Sequence, residues 1–306
     1  MKRSLLVFLG ISNLLLATEF DYGVGTFSMK GGFLGLESSI DADISTYSLV
    51  TRHANIAGDF FYGYDFTWYD SDTLKQAQQS YNNLANSSND MLNRTGMGGV
   101  GGNSALSIPS MDYRFQGLDA NIRAGYDIWH QDQDNFFGVG ALLGISLPWI
   151  DSSKSDDSSS NTNSNLLGAF PDTKTDIKTY KLGATISFQK SLISDKVSIY
   201  GVGSYAYQTG EIDNDYVDGS YSVDGTFQEY NVGLYFTPFT EEFKWGFLTL
   251  SPRVYATLGY RYSKWSVDKM VIDTSGGSFN SDQLSQFEKD FEMSSSIGYF
   301  GVGYSF

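Results

Sequence analysis

Apolar and polar residues alternate with a period of two through most of this chain. Over 118–128, Leu118, Ala120, Ile122, Ala124, Tyr126 and Ile128 oppose Asp119, Asn121, Arg123, Gly125 and Asp127. The split recurs at 179–189, where Tyr180, Leu182, Ala184, Ile186 and Phe188 oppose Lys181, Gly183, Thr185, Ser187 and Gln189. It recurs again at 226–237 and 248–262, the latter with Leu250, Val254, Leu258 and Tyr260 against Arg253, Thr257, Gly259 and Arg261. A period of two is that of a β-strand, which shows successive side chains to opposite faces. One face is apolar; the other carries charges, amides and glycines.

Ten segments carry this signal, near 20–29, 44–53, 56–69, 111–130, 135–149, 175–190, 195–209, 224–238, 245–265 and 293–306. Their connections alternate in length, short at 53–56, 131–135, 190–195 and 239–244 and long at 30–43, 70–110, 150–174, 209–224 and 266–290. A soluble β-sandwich also alternates. Short turns on one side with long loops on the other, an even strand number and both termini on the short side are what a transmembrane barrel requires. The expected fold is therefore all-β: a single antiparallel up-and-down transmembrane β-barrel of about ten strands, with long extracellular loops and short periplasmic turns. Segments 111–130 and 245–265 exceed the roughly 9–11 residues a tilted strand needs to cross a bilayer, so the barrel should project beyond it on the loop side. Either parity fits 44–53 and 195–209.

Both ends of the chain add an address. Residues 1–17 (MKRSLLVFLGISNLLLA) place Lys2 and Arg3 before a short apolar run ending at Ala17, the layout of a secretory signal peptide. The expected division is a signal peptide at 1–17 and a barrel domain at 18–306. The chain ends Tyr299-Phe300-Gly301-Val302-Gly303-Tyr304-Ser305-Phe306. With Tyr299 leading, Gly301 two positions on, Tyr304 penultimate in the pattern and a terminal Phe306, this resembles the closing strand of bacterial outer-membrane β-barrel proteins. The resemblance implies recognition by the outer-membrane assembly machinery and residence in a Gram-negative outer membrane, against lipopolysaccharide and phospholipid. It implies no functional subfamily.

Composition narrows the classes further. A formal net charge of -15 leaves nothing to neutralise a phosphate backbone, so nucleic acid is excluded as a partner. The absence of cysteine excludes disulfides, thiolate chemistry and a lipoprotein anchor. Aromatics at 16% exclude a disordered chain.

By parity, the polar face sends Asp59, Asp65, Asp119, Asn121, Asp127 and Glu229 into the lumen with Arg123, Lys181, Arg253 and Arg261. Ten strands leave little more room than eight, which side chains just fill. Unpaired charge there is costly, so these groups are expected to pair across strands, beside glycines such as Gly233 and Gly259 that leave space for long Arg and Tyr side chains. The expected protein is a monomeric surface barrel, structural or narrow-pored, with no cofactor and no metal. A loop-mediated adhesin or binding protein with an unidentified extracellular partner is the alternative.

An enzyme reading fares worse. Ten-stranded outer-membrane proteases resemble this architecture and place acidic pairs and a histidine at the extracellular rim. Here the histidines are His53 and His130, each beside a short, periplasmic connection and out of reach of an outward-facing cleft. In the loops, Asp213–Gly219 echoes a calcium loop but lacks its closing Glu, 152–165 is low-complexity, and Leu74, Ala77, Tyr81, Leu84 and Ala85 predict a short helix within 73–93.

Overall fold

The computed structural model describes residues 17–33, 36–57, 59–76, 79–81, 106–108, 111–129, 135–154, 173–193, 196–214, 220–238, 243–245, 248–250, 254–273 and 291–305. Ten long strands form the wall: β1 (Ala17–Phe33), β2 (Leu36–Ala57), β3 (Phe60–Ser71), β4 (Met111–Asp127), β5 (Asn135–Lys154), β6 (Thr173–Ile193), β7 (Val197–Asn214), β8 (Ser220–Phe236), β9 (Val254–Asp273) and β10 (Phe291–Ser305). Each pairs antiparallel with its sequence neighbours. β1 also pairs with β10, from Ala17↔Ser305 to Lys30↔Glu292, so the sheet closes on itself and leaves no long edge. The start of β1 and the end of β10 thus share one rim, the terminal rim. Bulges interrupt β2 between Thr51 and Ala54 and between Asn55 and Ala57.

The closed wall settles both undecided parities. On β2, Ile44, Thr46, Ser48 and Val50 face inward; on β7, Ser198, Tyr200, Ser204, Ala206 and Gln208 do. Three other expectations are corrected. Segments 30–43 and 209–224 are not loops throughout: β1 runs to Phe33 and β2 resumes at Leu36, while β7 runs to Asn214 and β8 resumes at Ser220. In place of a helix within 73–93, Leu74–Gln76 pairs with Met111–Tyr113 and Gln79–Tyr81 with Leu106–Ile108. β4 outruns β3, and its exposed ladder captures the returning chain. The strand expected at 245–265 starts at Val254, since 243–245 and 248–250 form a separate hairpin. The remainder of 73–93, most of 152–165 and the Asp215–Gly219 part of the calcium-like loop lie outside the described residues.

The alternation inverts along the strands. Near the terminal rim, apolar residues face out and polar ones in, as with Phe20, Tyr22 and Val24 against Glu19 and Asp21 on β1. Farther along β1, Thr26 and Lys30 face out while Phe27 faces in. β6 passes from Leu182 and Tyr180 outside, with Lys181 inside, to Lys178 and Asp176 outside, with Ile177 inside. β7 passes from Tyr205 and Tyr207 outside to Glu211 and Asp213 outside, with Ile212 inside. β9 passes from Leu258 and Tyr260 outside to Lys264 outside, with Trp265 and Val267 inside.

Two storeys follow from this inversion. In the lower one, side chains such as Leu182 (63% exposed) and Leu258 (62%) form an apolar outer band far too large to face water. Only hydrocarbon suits it, and closure satisfies the backbone there. The upper storey has the polarity of a soluble barrel, polar outside over an apolar core of Phe27, Ile44, Tyr69, Phe115, Phe227 and Trp265. Trp265 is thus a core residue at 5% exposure. Trp129 lies just past the end of β4 and is exposed beside Phe137.

Candidate functional site: the barrel interior

Period-two strands aim every second side chain at the axis, so the lumen's contents follow from the register. Arg123 on β4 reaches across to bind Asp65 Oδ2 on β3 through Nη1 and Glu229 Oε2 on β8 through Nη2, the latter at 2.5 Å. Its Nε points to Ser204 Oγ at 3.5 Å. Asn121 donates from Nδ2 to Asp65 Oδ1 at 3.0 Å and accepts through Oδ1 from Lys181 Nζ at 3.1 Å. Lys181 also pairs with Asp119 Oδ1 at 2.5 Å and lies 3.8 Å from the centre of the Phe227 ring. A chain of opposite charges thereby links β3, β4, β6 and β8, every member under 10% exposed.

Nearer the terminal rim the partners are mostly neutral. Arg261 donates to Thr67 Oγ1 at 2.8 Å and Ser48 Oγ at 3.2 Å, with Asp21 Oδ2 at 3.6 Å and the Tyr299 ring beneath it. Tyr299 donates its hydroxyl proton to Asn231 Oδ1 at 2.5 Å, so it accepts from Tyr200 at 2.5 Å. Thr257 donates to Glu19 Oε1 at 2.5 Å. Above the charges the lumen turns aromatic: Phe115 stacks on Phe27 at 3.6 Å and on Tyr69 at 5.5 Å, and Trp265 meets Tyr69 and Phe227 at 6.5 and 5.6 Å. The space left between the tiers, beside Asp65, Asp119, Glu229, Arg261 and Trp265, is a cavity of about 20 Å³, enough for a single water.

Six of the ten lumen residues named from sequence are charged members of this assembly (Asp65, Asp119, Arg123, Lys181, Glu229, Arg261), and Asn121 links them. Asp59 and Asp127 are elsewhere. Asp59 lies in the β2–β3 turn, half-buried, where its carbonyl accepts from the Asp127 amide at 2.7 Å. Asp127 is buried, but its Oδ1 caps the β4–β5 turn by accepting from the amides of Trp129 and Phe137 at 2.9 and 3.2 Å. Arg253 lies outside the described residues, as do His130, Phe306 and the His53 side chain. Of the terminal motif, Tyr299 and Gly301 face the lumen, and Tyr304 pairs with Thr18 and Val254. Glu19, Asp21, Tyr200 and the aromatic tier were not singled out from the sequence. The run Glu19-Phe20-Asp21-Tyr22-Gly23-Val24-Gly25 held the signal for the first two.

The glycines do specific work at one place. Gly233 and Gly259 are directly paired on β8 and β9. A Cβ on Gly259 would collide with the hydroxyls of both Tyr299 and Tyr200, and one on Gly233 with that of Tyr200. Gly259→Val should therefore displace the tyrosine pair and lower stability by about 1–3 kcal/mol, the usual cost of overpacking. Gly203→Val, whose Cβ meets only the Ile186 side chain at 3.3 Å, should be near neutral. Urea midpoints in detergent micelles compare the two; equal midpoints would mean that the slot is not rigid.

No protein-family model matches the sequence, and no curated protein is recognisably similar to it. Solved structures with a similar course of the chain include the outer membrane protease OmpT from Escherichia coli, at 12% identity, covering 95% of this chain and 97% of that one with a TM-score of 0.42. The translocator domain of the autotransporter NalP from Neisseria meningitidis is 12% identical, with 100% and 95% covered and a TM-score of 0.36. The attachment invasion locus protein Ail of Yersinia pestis is 11% identical, with 92% and 98% covered and a TM-score of 0.26. Those three differ in role, and a shared barrel transfers none of their roles to this chain. The closed ten-strand wall, the lipid-suited outer band and the polar interior show the fold by themselves: a single antiparallel up-and-down β-barrel whose outer face suits a membrane.

Proposed function

We propose that this protein is a sealed surface barrel, a structural platform rather than a diffusion pore. The observation that carries the reading is the inversion of polarity, which stacks an aromatic core on a charge-paired ionic tier inside one narrow lumen. A buried ionic tier fixes the positions of its strands when all its members are satisfied. The upper storey then acts as a rigid collar that holds the far rim, and the loops it bears, clear of the bilayer. That collar supports loop-mediated binding of an extracellular partner as the second reading. We assign no catalytic role: the interior carboxylates are bound to Arg, Lys or Thr groups, and neither histidine was placed by sequence on the far rim. The terminal strand is proposed to address the outer-membrane assembly machinery, with the far rim outward among lipopolysaccharide.

Planar-bilayer recording tests the sealed state. The purified protein should give no steady conductance, and at most brief small openings, because neither tier leaves a continuous path. Replacing Tyr69, Phe115 and Trp265 with alanine should still give little current, since the ionic tier remains. Adding Arg123→Ser and Lys181→Ser should open a path that favours cations, through the loss of two positive charges. A steady, wide current from the unaltered protein would make it a porin and end the platform reading.

A further inference from the structure

The lipid-facing band is not equally tall around the barrel. On β5 the outward apolar residues run from Phe137 through Val139, Ala141, Leu143, Ile145 and Leu147 to Trp149. Among the described side chains of β1 they run from Phe20 to Val24, and Thr26, Ser28 and Lys30 follow. On β10 they stop at Phe300, with Gly298, Ser296 and Ser294 beyond; on β2 they stop at Tyr47, with Ser45, Asp43 and Asp41 beyond. At a strand rise near 3.3 Å and a tilt near 40°, the β5 band is roughly 30 Å tall and the β1 band roughly 10 Å, against about 25 Å for an ordinary barrel.

The short side is one contiguous panel. Thr26 lies opposite Ser296 and Asp43 in the register, and Ser45 lies opposite Val24. These residues are outward and at least partly exposed. Tilting the barrel moves both edges of the band together, so it cannot cure a difference in height. Full-thickness hydrocarbon against this panel would cover hydroxyls and the Asp43 carboxylate, which is costly. A second copy docked two-fold on the panel would bring Asp41 and Asp43 towards their own counterparts.

We propose that the β10–β1–β2 panel lies against locally thinned bilayer, making this seam a membrane-thinning surface whose lipid partner is a phospholipid of short or disordered acyl chains. The thin hydrophobic girdle brings headgroups and water down to the level of Thr26 on this side, while β5 holds the membrane at full height. A girdle shorter than the membrane distorts the lipid before it exposes polar side chains to hydrocarbon. This holds whether or not the lumen conducts.

Because the chain contains no cysteine, single substitutions give unique labelling sites. Thr26→Cys on the seam and Leu147→Cys on the opposite wall would each carry an environment-sensitive fluorophore in the refolded full-length protein. Vesicles of phosphatidylethanolamine and phosphatidylglycerol, with and without brominated acyl chains, provide the bilayer. The Leu147→Cys label should be quenched by brominated lipid several-fold more than by aqueous iodide, and the Thr26→Cys label the reverse. Equal quenching of both labels by brominated lipid would overturn the proposal. So would shielding of the Thr26→Cys label from both quenchers together with Thr26→Cys cross-linking between chains, which would show a second copy on the seam. A triple variant, Thr26→Leu with Ser45→Leu and Ser296→Leu, adds a reading independent of labels. Folding of the natural chain should slow several-fold more steeply with acyl-chain length than folding of the triple variant; identical slopes would also overturn it.

Discussion

Replacing Arg123 with leucine is expected to lower the stability of the folded barrel by about 3–5 kcal/mol, the range for removing one partner of a buried ion pair. Arg123 bridges two carboxylates directly, Asp65 on β3 and Glu229 on β8. Its loss leaves both in the lumen with the positive charge between them gone, so their mutual repulsion adds to the desolvation cost. Asp119→Leu should act in the same direction through Lys181, which keeps Asn121 and the Phe227 ring but loses its counter-ion. Ile122→Thr should do much less, because Ile122 is 55% exposed on the lipid side and loses no partner. Replacing Asp65, Arg123 and Glu229 together with Asn, Met and Gln should recover most of the loss, since uncharged groups of similar size remove the penalty at its source. Urea midpoints in lipid vesicles, read by tryptophan fluorescence, give the ranking. Similar midpoints for Arg123→Leu and Ile122→Thr would mean that the charges are hydrated and the tier is not a core.

The parts of the site legible in the sequence lie on the stretches of strand whose apolar residues face outward. Asp119, Asn121 and Arg123, with Lys181, Glu229 and Arg261, sit on strands whose opposite faces are plainly apolar, so parity alone aimed them inward. Tyr200 was not legible because β7 is apolar on both parities over its lower half: Tyr205 and Tyr207 face out, Tyr200 and Ala206 in. The aromatic tier was hidden by the polarity inversion. Thr26-Phe27-Ser28 alternates just as Asp21-Tyr22-Gly23 does, but a period of two does not say which face meets solvent; that depends on whether lipid or water surrounds the strand at that height. The same ambiguity made 30–43 and 209–224 read as loops, since polar outward residues such as Asp41, Asp43, Glu211 and Asp213 mask strands that have left the membrane. The turn roles of Asp59 and Asp127 follow from strand ends, which alternation does not locate.

Deleting residues 300–306 is expected to abolish the folded barrel outright. β10 closes the wall on both sides: its last residues pair with Ala17–Tyr22 of β1 and with Val254–Leu258 of β9. Without them, two facing stretches of backbone would lie open at the height of the apolar band. Each unsatisfied amide or carbonyl in hydrocarbon costs several kcal/mol, so the sum exceeds the whole stability of an ordinary domain. The readout is heat-modifiable migration in the outer-membrane fraction, where the deleted chain should give no folded species. A gentler variant separates pairing from addressing. Tyr304→Ser with Phe306→Ser keeps every backbone hydrogen bond of the closing strand but removes the aromatic residues of the terminal motif. It should fold in detergent micelles yet fail to reach the membrane in cells, as a lost assembly signal requires. Normal folded yield in cells would show that the motif is not read, and failure in micelles as well would show that Tyr304 and Phe306 act in the barrel itself.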